Sequence, residues 1–139
     1  MVEKKARKKR NRATALVMNG GRLLLVRERG AKRWSLPGGG MKKGEAPVTA
    51  ACRELDEETK LVATSATYLF HYESPSQRHH VCLLETEGKV ELLREEIGDY
   101  RWWDGETEMA IIPSAVEIIE RVKLEGFVEF AEAQLFPSA

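Results

Sequence analysis

Glu54, Glu57 and Glu58 fall within five residues of one another, downstream of a glycine run at Gly38, Gly39 and Gly40. Carboxylates at i,i+3 and i,i+4 spacing on a helix repel one another. No Lys or Arg stands four residues after Glu54 or Glu57 to relieve them. An acidic helix face is often no more than a solvated surface, but three unrelieved charges so close together call for a cation. Hard divalent cations choose oxygen ligands, and Mg2+ is commonly held by a few carboxylates together with substrate phosphates. A cation so placed neutralises a diphosphate and lowers the pKa of a bound water. A glutamate within hydrogen-bond reach then takes the proton. The chemistry implied is hydrolysis of a phosphoanhydride by water. The glycines let backbone approach a ligand closely and can bring a carbonyl into the same shell. Arg27, Arg29 and Arg33 precede them and are candidates to clamp phosphate oxygens. Trp34 is a candidate to stack a base, against plain packing at a sheet edge.

A helix must hold these carboxylates, and the pattern predicts one over 47–59. Pro47 suits its first position. Val48, Ala51, Cys52 and Leu55 recur at spacings of three and four and form its packing face. At about 100° per residue, Glu57 lies about −60° and Glu58 about +40° from Glu54, away from that face. Ala50 shares the carboxylate side, where its small size leaves an approach open. Arg53 lies at the margin.

Strands and a second helix complete the frame. Residues 13–18 and 22–28 are apolar runs joined by Asn19-Gly20-Gly21, a hairpin cue. Leu23 to Val26 is apolar without alternation, as in a strand covered on both faces. Residues 64–72 and 78–85 read as a second hairpin about Pro75-Ser76-Gln77, and 100–103 as a short strand in which Trp102 and Trp103 alternate, so that one is expected in the core and the other more exposed. Residues 113–124 read as a helix with Val116, Ile119 and Leu124 on one stripe and Gly126 as its stop. Residues 127–136 extend that helix or pack beside it. Hairpins with helices at two separate places suggest an α/β sandwich, a mixed sheet with helices on both faces.

The 139 residues suit one domain. The formal net charge of zero conceals an asymmetry. Seven of the 22 basic residues lie in 4–12 and only one of the 22 acidic ones precedes residue 13, so the remainder carries 15 basic against 21 acidic groups. Residues 1–12 are expected to be an unfolded basic arm, either merely solvated or contacting nucleic acid or another polyanion through 4–12. The single domain is expected over 13–139. Cys52 and Cys82 are too few for a disulfide scaffold or a zinc site, and two buried thiols in a reducing cytosol are expected. No apolar run reaches the ~18 to 20 residues of a membrane span, and no apolar segment of a secretory signal follows the basic start. The expected setting is cytoplasmic. His71, His79 and His80 read as surface or substrate-lining groups rather than metal ligands.

Gly39, Glu45 and the run Arg53-Glu54-Leu55-Asp56-Glu57-Glu58-Thr59-Lys60-Leu61 resemble the Nudix box, G-x5-E-x7-R-E-U-x-E-E-x-G-U with U aliphatic. Eight of its nine specified positions agree, and Lys60 stands where the box has Gly. That position ends the helix, so the departure concerns helix termination rather than metal binding. Arg33 to Gly39 and Tyr100 to Trp103 resemble the segments flanking the box, so the resemblance spans about residues 13–125. It implies a Nudix-type α/β/α sandwich and Mg2+- or Mn2+-dependent hydrolysis of a small-molecule phosphoanhydride, a nucleoside diphosphate linked to a further group. It implies a catalytic set of Glu54, Glu57, Glu58 and Arg53, with Arg53 and Glu45 pairing to hold the box loop. Glu57 and Glu58 are the implied metal ligands, with the Gly38 carbonyl as a further one. Glu54 is implied as ligand, general base or both. Glu95 or Glu96 is the candidate extra acid from a later loop, and Gly39 and Gly40 join the arginines and Trp34 as candidate substrate contacts. The alternatives are a non-catalytic Nudix-fold module that binds a nucleotide or polyanion, and a hydrolase of inositol pyrophosphates. The substrate and the oligomeric state, a homodimer included, stay open.

Overall fold

The computed structural model describes residues 8–132. Its central sheet is mixed. β1 (Arg10–Asn19) runs parallel to β5 (Gln77–Glu87) and antiparallel to β2 (Arg22–Glu28) and to the short β3 (Gly38–Gly40). β4 (Val62–Glu73) pairs with β5, and β6 (Ile97–Trp103) with β2, giving the order β4-β5-β1-β2-β6 with β3 attached to β1. Helix α1 (Pro47–Thr59) and helix α2 (Pro113–Leu124) complete the described elements.

The continuous apolar run of β2 divides between two cores. Leu24 and Val26 join Ala13, Ala15, Val17, Ala50, Ala51 and Leu55 under α1. Leu23 and Leu25 join Leu16, Phe70, Val81, Ile118, Ile119 and Val122 under α2. Side chains alternate across a strand, so the two helices lie on opposite faces of the sheet, as the sequence suggests. The same alternation corrects the expectation for the tryptophans. Trp102 packs toward α1 and Trp103 toward α2, and both are half-buried because neither face is left to solvent.

Two helix faces also differ from expectation. In α2 the buried residues are Ala115, Ile118, Ile119 and Val122, whereas Val116 is exposed and Leu124 almost wholly so. Val116 and Leu124 lie eight residues apart, which keeps them on one stripe, but the sheet meets the neighbouring stripe. In α1, Ala50 is fully buried and belongs to the core, so it does not border the carboxylate approach, while Val48 and Cys52 are only partly covered. Cys82 is buried, and both cysteines are free thiols.

The first strand begins at Arg10, inside the segment expected as an arm, because Arg10, Asn11 and Arg12 align beside Gln77, Arg78 and His79 of β5. The rest of the arm, residues 1–7, lies outside the described residues. The hairpin turn is made by Gly20 and Gly21, both with positive φ, between the paired Asn19 and Arg22. Beyond Gly126 the chain leaves α2 and packs Val128 beneath it, with Phe130 edge-on to Trp103. No helix among the described residues is long and apolar enough to cross a membrane.

Lys60 ends α1 in the left-handed conformation, at φ 64° and ψ 6°, and its N–H donates to the Asp56 carbonyl. The turn that a glycine would make is thus kept by a residue with a Cβ, which is disfavoured there by about 1 kcal/mol. Lys60→Gly is expected to raise stability by about 1 kcal/mol, read as an increased urea midpoint with an unchanged m value.

Candidate active site

Two structural features fix the helix over the glycine strand. Gly38 and Gly39 lie opposite Thr14 and Ala13 of β1. A Cβ on Gly38 would collide with the Ala13 carbonyl, and one on Gly39 would sit 2.5 Å from the Glu54 carboxylate. The Ala13 carbonyl leaves room only for glycine at 38, and the bare backbone at 39 lets the Glu54 carboxylate approach β3.

Arg53 organises the carboxylates. Its Nε and Nη2 donate to the two oxygens of Glu45, each at 2.8 Å, a bidentate fork. Nη2 also reaches the Gly40 carbonyl at 3.1 Å. Nη1 donates to Glu54 at 2.9 Å and to Glu57 at 3.4 Å. One guanidinium therefore ties the loop before α1 to β3 and relieves two of the three glutamates. The cation that the sequence lacked four residues after Glu54 stands instead beside it. Bonded to Arg53 and to the Lys42 N–H, Glu45 is held down to about 2, and the fork to Glu45 raises Arg53.

Glu58 is treated differently. It is 4% exposed. Burial pushes its carboxyl up to about 8, and nearby Glu54 adds to the rise, while Arg12 and the Gly38 N–H oppose it. Its surroundings thus disfavour an unaccompanied negative charge. Arg12 itself is lowered by burial and supported by Glu58, Glu28 and Glu54.

These groups line a cleft of about 790 Å3 that also takes in Arg29, Gly30, Gly38 to Gly40, Glu95 and Glu96. The acidic loop is brought there by the end of α1. Glu91 N–H donates to the Thr59 carbonyl and Leu93 N–H to the Glu58 carbonyl, which the helix itself leaves unpaired. The Arg29 N–H, in turn, donates to the Glu96 carbonyl. Among the described residues no three acidic, imidazole or thiol groups converge closely enough to grip a metal, since Arg53 draws Glu54 and Glu57 to itself. The donors nevertheless suit a hard divalent cation: all are oxygens, and Glu58 is a buried carboxylate short of positive partners.

A second cavity, of about 210 Å3, adjoins the cleft and shares Arg12 and Glu28 with it. Arg33, Ser35, Gln77, His79, Ser114 and Ile118 are among its walls.

The structure therefore gathers Gly38, Gly39, Gly40, Arg29, Glu54, Glu57, Glu58, Glu95 and Glu96 about one cleft and places Arg33 in the adjoining cavity. It does not bring Arg27 and Trp34 to either. The Arg27 guanidinium lies 4.8 Å from the Trp34 ring centroid and 3.5 Å from Asp99, so the pair packs together near the end of β2. Arg12, Thr14 and Glu28 are site residues that the sequence did not single out. Arg12 shares one face of β1 with Thr14 and Leu16, an alternation that shows only once the strand is known to begin at Arg10.

A mixed sheet between two helices, with a glycine strand facing a row of glutamates, defines the class. Residues 8–115 match the family model of the NUDIX domain, and the chain belongs to that family. An RNA pyrophosphohydrolase of Rhizobium meliloti is 38% identical over 84 residues, covering 58% of this chain and 48% of the relative. One of Brucella ovis is 37% identical over the same length, covering 58% and 46%. The chain thus spans about half the length of these curated relatives. A crystal structure of a nudix hydrolase family member from Chromobacterium violaceum superposes with a TM-score of 0.75 at 29% identity, over 86% of this chain and 80% of that one. The MutT NUDIX hydrolase of Burkholderia pseudomallei shares the fold, with a TM-score of 0.70 at 20% identity over 84% and 99% of the two chains.

The fork between Arg53 and Glu45 requires two parallel donors, which lysine does not have. Arg53→Lys is expected to lower the urea midpoint while leaving the far-ultraviolet circular dichroism of the native protein unchanged.

Proposed function

We propose that this chain hydrolyses a phosphoanhydride bond in a nucleoside diphosphate linked to a further group, using bound Mg2+ or Mn2+. The observation that carries the reading is Glu58: a buried carboxylate, raised by burial and by Glu54, at the back of a cleft whose rim adds Glu57, Glu95 and Glu96. When bound there, the cation would supply charge neutralisation at the diphosphate and an acidified water. Glu57 and Glu58 are its proposed ligands, with the Gly38 carbonyl beside them.

The chain's own groups do the rest. Arg12 and Arg29 line the cleft as fixed positive charges that receive phosphate oxygens. Glu54 has one oxygen bound to Arg53, whereas its other lies against Gly39 with no hydrogen-bond partner among the described residues. That second oxygen is the proposed proton acceptor. Water adds to phosphorus as the bridging P–O bond breaks, its proton passes to Glu54, and the leaving phosphate departs with the bridging oxygen. Arg53 acts through Glu54 and the box loop and is a positioning residue.

A second reading of the substrate is supported by the relatives named RNA pyrophosphohydrolase. Lys8, Lys9 and Arg10 border a hollow with Ser76 and Gln77, and Gln77 also lines the smaller cavity. The basic run thus meets the described fold beside the proposed substrate site, where the strand following a 5′-triphosphate would leave it.

Glu57 has a half-exposed side chain, so removing its charge spares the core. Glu57→Gln is expected to lower metal-dependent release of phosphate or pyrophosphate by at least about 100-fold with an unchanged melting temperature in chelator. Turnover at the wild-type rate would remove Glu57 from the site. A metal-supplemented panel of nucleoside triphosphates, ADP-ribose, diadenosine polyphosphates, inositol pyrophosphates and 5′-triphosphate RNA decides the substrate. No turnover across that panel favours the non-catalytic binding module. If RNA is the substrate, deleting residues 1–7 is expected to reduce RNA affinity and flatten its salt dependence, while leaving nucleoside triphosphate turnover unchanged.

A further inference from the structure

A residue in the wall of the smaller cavity carries an unmatched polar atom. His79 is 4% exposed and forms part of the cavity wall. Its Nε2 is the one buried side-chain nitrogen or oxygen without a hydrogen-bond partner among the described residues. Such atoms are uncommon in folded proteins and mark places where a partner belongs.

Its protonation follows from its neighbours. Thr14 is 1% exposed, and its Oγ1 accepts from Arg12 Nε at 3.3 Å. The Thr14 hydroxyl proton then needs an acceptor, and the one group in place is His79 Nδ1, at 2.9 Å. An imidazole that accepts at Nδ1 carries its proton at Nε2. Burial, and then Arg12 and His80, hold the ring down to about 4, so it is neutral near pH 7. Arg12, Thr14 and His79 thus form a relay that fixes one tautomer.

We infer that the Nε2–H of His79 is the specificity-determining donor of the smaller cavity, pairing with the carbonyl oxygen of a nucleobase. This rests on the proposed reading of the glutamate cleft as the diphosphate site. Three features select a base carbonyl over a phosphate oxygen. The donor is neutral, whereas the cationic groups of the cavity are Arg12, at the seam shared with the cleft, and Arg33 in its wall. Leu36, Ile112, Ala115 and Ile118 give the cavity an apolar share of its lining, which suits a ring rather than an anion. At about 210 Å3 the space is smaller than the ~300 to 1,000 Å3 pockets that enclose a whole ligand, so it houses one moiety of the substrate. A base presenting an amino group at the same position sets donor against donor and leaves both unsatisfied, the condition under which polar sites discriminate most strongly.

Binding and turnover test this separately. In nitrogen-15 spectra of the metal-free wild type, His79 is expected as the neutral Nε2–H tautomer. GMP is expected to shift that resonance and to bind at least about tenfold more tightly than AMP. With Mg2+, wild-type kcat/KM is expected to favour GTP over ATP, and His79→Phe to bring the two within about threefold by lowering the GTP value. Thr14→Val, which removes the relay without touching the ring, is expected to weaken the same preference and serves if His79→Phe does not fold. The Nδ1–H tautomer, a doubly protonated ring, or equal GMP and AMP affinity in the wild type overturns the inference. Absence of GTP hydrolysis with the GMP preference intact would instead count against the hydrolase reading and leave the His79 assignment standing.

Discussion

The site depends on burying one carboxylate. Glu58 lies at the end of α1 with almost no contact with water, and an isolated ionised carboxylate in such a place is strongly disfavoured. The Gly38 N–H and the nearby Arg12 offset part of that penalty. Both arrive only because β1 runs between β3 and β5, so that Arg12 stands opposite Gly40 on one side and His79 on the other. Glu58 thus requires the sheet order, the glycine strand and the helix position together. The offset is incomplete, so the carboxyl is raised to about 8 and favours its protonated form near pH 7, and a cation in the open cleft would restore the charged form.

Arg53 performs a different task with the same chemistry. Its five donors are distributed over Glu45, Gly40, Glu54 and Glu57, so the loop, the strand and the helix share one planar anchor. Such a fork gives direction as well as attraction. Glu54 is left with one oxygen held and one free, and the free oxygen lies where no side chain larger than hydrogen fits.

How legible this was in the sequence depended on the range of the interaction. The pairing of Arg53 with Glu45 was legible only through the resemblance to the Nudix box, whereas the glutamate row and the bounds of both helices rest on i,i+3 and i,i+4 neighbours, which survive in a linear text. The double-sided cover of β2 was readable for a similar reason, since Leu23 to Val26 has no polar face to give solvent. Arg12 was not readable as a site residue. Within Lys-Lys-Arg-Asn-Arg it has the same appearance as its solvated neighbours, and only the folded sheet brings it to the Leu36 carbonyl and beside Glu58. The stripe of α2 failed likewise, because choosing between adjacent apolar stripes requires knowing where the sheet lies.

On the proposed reading, His79 and Glu58 divide recognition between the two cavities. Both side chains are buried, and Arg12 tunes both: it favours the charged form of Glu58 and the neutral form of His79. One guanidinium at the seam therefore keeps an acid ready for cations on the cleft side and a neutral donor on the cavity side. Moving Arg12 would alter the two sites in opposite electrostatic senses, so a variation that relaxed base selection there would also disturb the diphosphate site. Walls that touch only the smaller cavity, such as Ser114 and Ile118, are free of that coupling. Substrate choice can change at those positions while the glutamate cleft stays as it is.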